Sequence, residues 1–434
     1  MLQRRAQPRR QESTQPPRPR HGAPAAAVGA ALKQLEAESG KREAEAHSDR
    51  VKLQASGFKL PPLAAYVHIP WCVKKCPYCD FNSHTSQTAL PEDAYIDAMI
   101  ADLEQDLPLA AGRELTSIFF GGGTPSLFSA ASLDRFLQAL NARLPFAADI
   151  EITLEANPGT FEQAKFSDYR AAGINRLSIG IQSFNAGHLK ALGRIHDDRE
   201  ALSAVDMARR AGFDNLNLDL MHGLPNQSHE QAIADIDQAM ALAPEHLSWY
   251  QLTLEPNTVF YSKPPTLPEE DILWSIQEAG QQRMAAGGYA QYEVSAYAQP
   301  GRQARHNLNY WQYGDFLGIG AGAHGKITHS DGAIERHWKT RLPKDYLAAG
   351  KDVRAGRKTL AADELPFDFL MNALRLVDGV PASYYSARTG QSLTDIEPLL
   401  QQAAAKGLLE PWAHQLRPTE RGKLFLNDLL ELFL

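Results

Sequence analysis

The amino-acid sequence predicts an α/β fold, a partial (β/α)6 barrel of the TIM type with a small, mostly helical C-terminal domain. Three observations predict it. Six short apolar segments recur from about residue 65, helical segments separate them, and unusual polar residues follow the apolar segments rather than precede them. Strands that alternate with helices form βαβ units and a parallel sheet. Barrels collect their chemistry at the carboxyl ends of the strands, whereas an open sheet collects it at one switch point, so the barrel is favoured.

The six apolar segments are the predicted strands. They are AAYVHIP (64–70), TSIFFGGG (116–123), DIEITLEANP (149–158), RLSIGIQSF (176–184), NLNLDLMHGLP (215–225) and HLSWYQLTLEP (246–256). Helices are predicted between them, for example over 92–107 and 133–144. Gly173 and Gly212 precede strands and are predicted to end helices in the left-handed conformation. The segment YEVSAYA (292–298) predicts one further strand.

The amino-acid composition argues against several classes of protein. The chain has 434 residues, 44% of them hydrophobic, and can bury a large core. Its formal net charge of -7 argues against a general nucleic-acid binder. No apolar run reaches the roughly 18 residues of a membrane span, and the N-terminus lacks the apolar region of a signal peptide. We therefore expect a cytoplasmic protein with reduced thiols.

Residues 1–60 differ in composition from the rest of the chain. The segment MLQRRAQPRRQESTQPPRPRHGAP is rich in arginine and proline and has no apolar periodicity. It predicts a disordered tail, with a short helix near residues 31–46. A transit peptide is the alternative, which the prolines disfavour because they interrupt an amphipathic helix.

All the cysteines lie in one segment, YVHIPWCVKKCPYCDFNSH (66–84), with the spacing C-x3-C-x2-C. They are Cys72, Cys76 and Cys79. Thiolates select zinc or iron–sulfur clusters. A structural zinc site takes four ligands, and His68 or His84 could supply the fourth. A [4Fe–4S] cluster on three thiolates leaves one iron open to a small molecule. The spacing favours the cluster, and zinc stays open as the alternative.

The cysteine spacing, with Tyr78 before the last cysteine and a strand before the loop, resembles the signature of the radical S-adenosylmethionine superfamily. This resemblance implies a partial barrel, a [4Fe–4S] cluster on the three cysteines, and S-adenosylmethionine on the open iron. In that superfamily the reduced cluster cleaves the cofactor to a 5′-deoxyadenosyl radical. Five motifs in order across 65–434 are similar to the coproporphyrinogen dehydrogenase-like family: YVHIPWCVKKCPYCDFN, FFGGGTPS, SIGIQSF, LDLMHGLP and HNLNYW.

The resemblance implies a set of residues that contact S-adenosylmethionine. They are Tyr66, Tyr78, Gly122, Gly123, Thr124, Glu155, Gln182, Arg194 and Asp219. The residue types agree with such a role, because a glycine run leaves backbone donors open and a carboxylate that ends an apolar strand needs a partner. Arg194, on the helix after the fourth strand, could hold a carboxylate bidentately. The structural alternatives are a tight turn, a packed tyrosine and a solvated arginine.

The segment RHNLNYWQYGDFLGIGAGAHG (305–325) contains the HNxxYW motif that marks the heme-binding members of the family. A neutral imidazole is a good axial ligand for heme iron, and aromatic rings stack on a porphyrin. We predict His306 as the heme ligand, with Tyr310 and Trp311 beside the macrocycle. The alternative for His306 is a hydrogen-bonded histidine at the barrel mouth. Three further residues are candidates to line this cavity: His324, Glu293 and Ser295.

The resemblance implies a heme chaperone, which binds heme, passes it to an acceptor hemoprotein and depends on an electron donor. Peripheral contact with membrane hemoproteins is compatible with this role. The alternative is the oxygen-independent coproporphyrinogen III oxidase, a radical enzyme that decarboxylates propionate side chains. That enzyme carries C-x3-C-x2-C-x-C, and Phe81 stands here at the last position. The choice between enzyme and chaperone stays open at this point, and a zinc-binding interaction protein is the second alternative.

The predicted domains are a tail (1–60), the barrel (61–300), a connecting segment with the HNxxYW motif (301–361), and a C-terminal helical domain (362–434). The last resembles a winged-helix hairpin. It has no strong basic patch, so we expect a structural cap or a partner surface and no nucleic acid.

Overall fold

The computed structural model describes residues 59–86, 89–159, 164–348 and 352–434. The predicted tail and its helix, apart from residues 59 and 60, lie outside the described residues. Within the described ranges, no helix has the length and the apolar character that crossing a membrane requires.

The strands are given in chain order. They are β1 (Leu63–Ile69), β2 (Trp71–Cys72), β3 (His84–Thr85), β4 (Leu115–Gly122), β5 (Phe146–Ala156), β6 (Arg176–Gln182), β7 (Leu216–His222), β8 (His246–Gln251), β9 (Ala290–Glu293), β10 (Ala296–Ala298), β11 (Asp315–Ile319), β12 (His324–Thr328), β13 (Ile334–Lys339), β14 (Arg354–Thr359), β15 (Val380–Pro381) and β16 (Gln415–Leu416).

The helices follow the same order. They are α1 (Glu92–Ala110), α2 (Ala130–Arg143), α3 (Phe166–Ala171), α4 (Ala186–Ala191), α5 (Asp198–Arg210), α6 (His229–Ala241), α7 (Val259–Ser262), α8 (Glu270–Ala286), α9 (Arg305–Trp311), α10 (Pro343–Tyr346), α11 (Leu365–Ala373), α12 (Ser383–Thr389), α13 (Glu397–Ala405), α14 (Glu420–Leu424) and α15 (Leu426–Leu430).

The six predicted strands are β1 and β4 to β8, and they lie side by side in chain order with parallel pairing throughout. Parallel strands need crossover helices, which cover the sheet and make its strands apolar. Gly173 and Gly212 have φ values of 98° and 87°, so the prediction of left-handed residues before β6 and β7 is confirmed. The carboxyl ends of the six strands therefore meet at one rim.

Antiparallel strands extend the sheet at both ends. Beyond β8 lie β10 and β9, and beyond β1 lie β11, which is parallel to β1, then β12, β13 and β14. The prediction of one strand over 292–298 is wrong, because the chain reverses at Val294 and Ser295. The Glu293 carboxylate accepts the Ser295 N–H at 2.9 Å and stabilises this reversal. Residues 301–361 contribute the helices α9 and α10 and the four strands β11 to β14.

The C-terminal helices form a second apolar cluster around Phe369, Tyr385 and Leu400. Tyr292 and Tyr313, which flank the outer strands, belong to the same cluster, so these helices pack against the sheet. Leu429 and Phe433 of the terminal segment are also buried there. Each side chain removed from water in this way contributes about 1.5–3 kcal/mol.

A buried ion cluster joins the first helix to the outer strands. The Lys339 ammonium on β13 contacts the carboxylates of Asp102 and Asp106, which lie one turn apart on α1. All three side chains have no exposed surface. Asp102 also accepts hydrogen bonds from the Gly320 N–H at 3.0 Å and the Tyr346 hydroxyl at 2.7 Å. Because buried charges need such partners, the cluster fixes α1 against the loop that follows β11.

Replacement of Lys339 by methionine tests this cluster. The substitution leaves two buried carboxylates without their cation, and we expect the free energy of unfolding to fall by about 3–5 kcal/mol. Urea denaturation measures the change. Lys358→Met on β14 is the matched control, because Lys358 pairs with Glu364 on the surface and should contribute at most about 1 kcal/mol. Equal losses in the two variants would contradict the role of the cluster.

Candidate functional site

A cavity of about 910 Å³ opens at the carboxyl ends of the parallel strands, and we call it the thiol cavity. The three cysteines line it, together with eight of the residues predicted to contact S-adenosylmethionine. These eight are Tyr78, Gly122, Gly123, Thr124, Glu155, Gln182, Arg194 and Asp219. Residues from five strand ends and from the cysteine loop thus meet in one space, as the barrel prediction requires.

The cysteine loop is held by backbone contacts on both sides. Strand β2, which ends at Cys72, pairs with β3, and the Cys79 N–H donates to the Cys76 carbonyl oxygen at 3.2 Å. The Lys75 ammonium donates to the carbonyl oxygens of Phe81 and Ser83 at 3.0 and 3.3 Å. The three thiols are free and partly buried. The loop therefore presents three soft ligands from a fixed backbone.

Burial raises the pKa of the Cys72 thiol and of the Cys79 thiol, and hydrogen bonds from Thr124 and Ser83 offset part of this rise. Metal binding requires thiolates and releases their protons. The donor set fits a [4Fe–4S] cluster, because three thiols line one cavity that is large enough to hold a small molecule beside them.

The glycine run after β4 is required by close packing. Gly122 has a φ of 115°, and a side chain there would meet the His68 ring at 2.6 Å. A Cβ on Gly123 would lie 2.5 Å from the Trp71 carbonyl oxygen. These contacts alone explain the glycines, and the same close approach brings the cysteine loop to the end of β4. A role in binding the cofactor stays a prediction.

Glu155 and Asp219 are carboxylates buried in the cavity wall. Glu155 accepts one hydrogen bond, from the Gly122 N–H at 3.2 Å. Asp219 accepts hydrogen bonds from the Ser178 hydroxyl and the Asn217 amide, both at 2.8 Å. Burial, and then the charge of Asp219, raises the pKa of Glu155 to about 8. Burial also raises the pKa of Asp219. The cavity wall is therefore suited to a ligand that carries positive charge.

Arg194 and Gln182 lie together at the end of β6, where the Arg194 guanidinium donates to the Gly180 carbonyl oxygen at 2.6 Å. Arg194 is in the loop between α4 and α5, so its predicted position on a helix is wrong. Its guanidinium donates to the Asn157 amide oxygen at 2.7 Å and lies 3.8 Å from the Cys76 sulfur. Gln182 has a φ of 69°, and its buried Oε1 has no hydrogen-bond partner among the described residues. Strained backbone and unpaired polar atoms concentrate at ligand sites.

A second cavity of about 570 Å³ adjoins the first, and we call it the aromatic cavity. Its aromatic wall consists of Tyr66, Phe81, Phe119, Tyr310, Trp311, Tyr313 and Phe316. Phe81, Phe119, Gly122 and Glu155 line both cavities. Tyr66, predicted to contact S-adenosylmethionine, lines the aromatic cavity and donates its hydroxyl to the His68 Nδ1 at 2.8 Å.

Helix α9 divides the predicted heme residues between the two cavities. Tyr310 and Trp311 line the aromatic cavity, whereas His306 lines the thiol cavity. His306 Nδ1 lies 3.3 Å from the Glu151 Oε1, and its ring centroid lies 4.2 Å from that of Phe119. Burial lowers the pKa of His306, so the imidazole is neutral. Its role as a heme ligand stays a prediction.

The three further candidates for the wall of the heme cavity do not lie together in the structure. His324 lines the aromatic cavity. Glu293 and Ser295 line neither of the two cavities, and Glu293 pairs instead with Arg375 at 3.3 Å. Sequence reasoning missed the polar residues inside β6, β7 and β8 that line the thiol cavity, namely Ser178, Asn217, His246 and Ser248. Their signal is the alternation of polar and apolar residues within otherwise buried strands.

Two segments of this chain match known protein families. Residues 66–239 match the radical SAM superfamily, and residues 360–425 match the HemN C-terminal domain. The heme chaperone HemW of Escherichia coli is 54% identical over 376 residues, which cover 87% of this chain and 99% of that protein. The chain belongs to the HemW family. HemW of Bacillus subtilis is 33% identical and covers 86% of this chain and 99% of its own length.

A solved structure shares the fold. Coproporphyrinogen III oxidase (HemN) from Escherichia coli superposes with a TM-score of 0.73 at 24% identity, over 88% of this chain and 92% of that chain. Membership of the HemW family and this likeness confirm the predicted radical SAM fold class and the family resemblance.

Cysteine replacement tests the metal. We expect anaerobic reconstitution with iron and sulfide to give a brown protein that absorbs near 400 nm, because the three thiolates assemble a [4Fe–4S] cluster. Cys79→Ala removes one ligand and should lose this absorbance and its iron, as measured by metal and sulfide analysis. Val73→Ala, an exposed change in the same loop, is the control. Stoichiometric zinc without sulfide in the wild type would favour the zinc alternative.

Proposed function

We propose that this protein binds heme and transfers it to an acceptor hemoprotein, while it carries a [4Fe–4S] cluster and S-adenosylmethionine. The observation that carries the proposal is the pair of adjoining cavities. One holds three thiols and two buried carboxylates, and the other is walled by aromatic rings. The relatives named heme chaperone HemW support the same function.

The thiol cavity suits the cluster and its cofactor. Cys72, Cys76 and Cys79 would hold the cluster, and Glu155 and Asp219 would face the cationic cofactor. S-adenosylmethionine carries a positive sulfonium, which the two buried carboxyl groups would stabilise when ionised. When bound, the reduced cluster supplies an electron to the cofactor. The free thiols need a reducing compartment, so we place the protein in the cytoplasm.

The aromatic cavity suits heme. Tyr310 and Trp311 present flat apolar surface, on which a porphyrin stacks. The cavity volume of about 570 Å³ lies within the range of about 300–1,000 Å³ that is usual for cofactor sites.

The oxidase remains the second candidate. The side chain of Phe81 lines both cavities where the oxidase pattern has a fourth cysteine. A phenyl ring cannot ligate iron or exchange a proton, so the thiol of that pattern is missing. The likeness to the solved oxidase supports the fold alone.

The raised pKa of Glu155 predicts pH-dependent cofactor binding. Because burial and Asp219 hold this pKa at about 8, the carboxyl is protonated in the free protein at pH 7. A cationic ligand favours the carboxylate, so binding releases a proton. The affinity for S-adenosylmethionine should rise by up to about tenfold per pH unit from pH 6 to 8 and then level off.

Isothermal titration calorimetry in two buffers of different ionisation enthalpy measures both the affinity and the released proton. Glu155→Gln keeps the shape of the side chain and removes the titration, so its affinity should be nearly independent of pH. The same slope and the same proton release in this variant would contradict the assignment to Glu155.

Heme titration of the reconstituted protein tests the proposed function. We expect stoichiometric binding in the wild type and weaker binding in Trp311→Leu, because that variant loses aromatic contact with the macrocycle. Trp274→Leu, at a tryptophan that is 54% exposed and outside both cavities, is the matched control. A wild type that ignores heme would overturn the chaperone proposal, and anaerobic turnover of coproporphyrinogen III would then test the oxidase.

A further inference from the structure

His324 stands at the start of β12, in the wall of the aromatic cavity. Its ring is stacked beside that of Trp338, with the centroids 6.3 Å apart and an angle of 26° between the planes. Unlike most histidines of this region, His324 is exposed, and no described residue forms a hydrogen bond with either ring nitrogen. Burial and the nearby charges of Arg336 and Arg341 lower the pKa of His324, so the ring is neutral and can donate a lone pair.

The other histidine of the aromatic cavity is already engaged. His68 uses Nδ1 with the Tyr66 hydroxyl at 2.8 Å and Nε2 with the Asn82 carbonyl oxygen at 2.9 Å. His306 lies on the other side of the shared wall, with its ring against Phe119. Among the histidines that line the aromatic cavity, His324 is the one whose ring nitrogens are both free within the described part of the chain.

Two buried N–H groups in the same cavity wall also lack partners. They are the Trp311 Nε1 and the Arg336 Nε, neither of which has a hydrogen-bond acceptor among the described residues. Buried donors without an acceptor are rare and indicate a missing ligand or water. Arg336 does bind the Asp368 carboxylate, at 2.8 and 3.0 Å, but only through its NH2 nitrogen.

The positive side chains around the aromatic cavity differ in whether they could bind an anionic ligand. The Lys326 ammonium is fully buried and is satisfied by the Asp315 carboxylate at 2.9 Å, so it serves the fold. Arg341 lines the cavity at its exposed side, and its guanidinium makes no ion pair with any residue that the structure describes. Arg341, together with the free edge of Arg336, therefore offers planar donors of the kind that bind carboxylates.

We propose that heme lies in the aromatic cavity with His324 as the axial ligand of the iron, and with its propionates on Arg336 and Arg341. The macrocycle lies against Tyr310 and Trp311, and His306, which lines the thiol cavity, does not ligate the iron. This inference rests on the proposed heme-binding function and assigns its site, its ligand and its anion contacts.

Electron paramagnetic resonance of ferric heme tests the ligand in the reconstituted full-length protein. The oxidised [4Fe–4S] cluster is diamagnetic, so the ferric heme signal is read without interference. We expect His324→Ala to lose the nitrogen-ligand signature of the wild type, and added imidazole to restore it. His306→Ala should keep that signature. His324 is exposed, so its replacement leaves the fold intact, and an unchanged cluster absorbance in the variant verifies this.

A second experiment tests the propionate contacts by changing first the arginine of the protein and then the carboxylates of the heme. Arg341→Gln should weaken heme binding about tenfold, because the substitution removes one charge-assisted contact. Heme dimethyl ester, which lacks the carboxylates, should bind the wild type more weakly than heme. Arg341→Gln should then have no further effect on the ester. Additive losses from the ester and the variant would overturn the assignment of the propionates.

The outcomes separate this inference from the function on which it rests. A wild type that binds no heme overturns both. A wild type that binds heme, with the ligand signature lost in His306→Ala and kept in His324→Ala, leaves the chaperone standing and overturns the assignment of His324. Loss of the signature in His324→Ala alone, with rescue by imidazole, supports it.

Discussion

A carboxylate buried without a cation is the constraint on which the functional end of this molecule depends. Glu155 ends β5 inside the wall between the two cavities, and a single backbone N–H, that of Gly122, is its hydrogen-bond partner. Asp219 is a second buried carboxyl group on the neighbouring part of the rim, and its charge helps to raise the pKa of Glu155. The fold supports this unfavourable pair because the parallel strands around it are held by apolar packing on both faces. A nearby cation favours the ionised form of both groups, so the pair would stabilise the cationic cofactor that we propose.

The same wall determines how the two cavities relate to each other. Phe119 stacks on Tyr66 toward the aromatic cavity and on His306 toward the thiol cavity. The wall is one side chain thick at this point. A heme and an S-adenosylmethionine bound in the two cavities would therefore lie close together and remain separated by a phenyl ring. In the proposed arrangement this ring would keep the porphyrin out of direct contact with the cofactor.

The sequence predicted the parallel strands and the cysteine loop because both leave strong local signals. Apolar runs between amphipathic helices mark buried parallel strands, and three thiols in eight residues mark a metal loop. The sequence did not predict the features that depend on tertiary contacts. The hairpin of β9 and β10 depends on a side chain–backbone hydrogen bond of Glu293, which no periodicity reveals. The sequence also did not predict that His306 and Tyr310 line different cavities. The two residues lie one turn apart on α9, and His306 packs against Phe119, which lines both cavities.

Helix α9 touches both cavities within seven residues. A displacement of this short helix would change the walls of both cavities together, so the binding free energies of the two proposed ligands would be thermodynamically linked. Linkage is reciprocal: whatever factor the cofactor applies to the affinity for heme, heme must apply to the affinity for the cofactor. With the proposed function, such linkage would let the protein load heme in one cofactor state and release it in another. Its transfer step then needs no chemical change in the porphyrin.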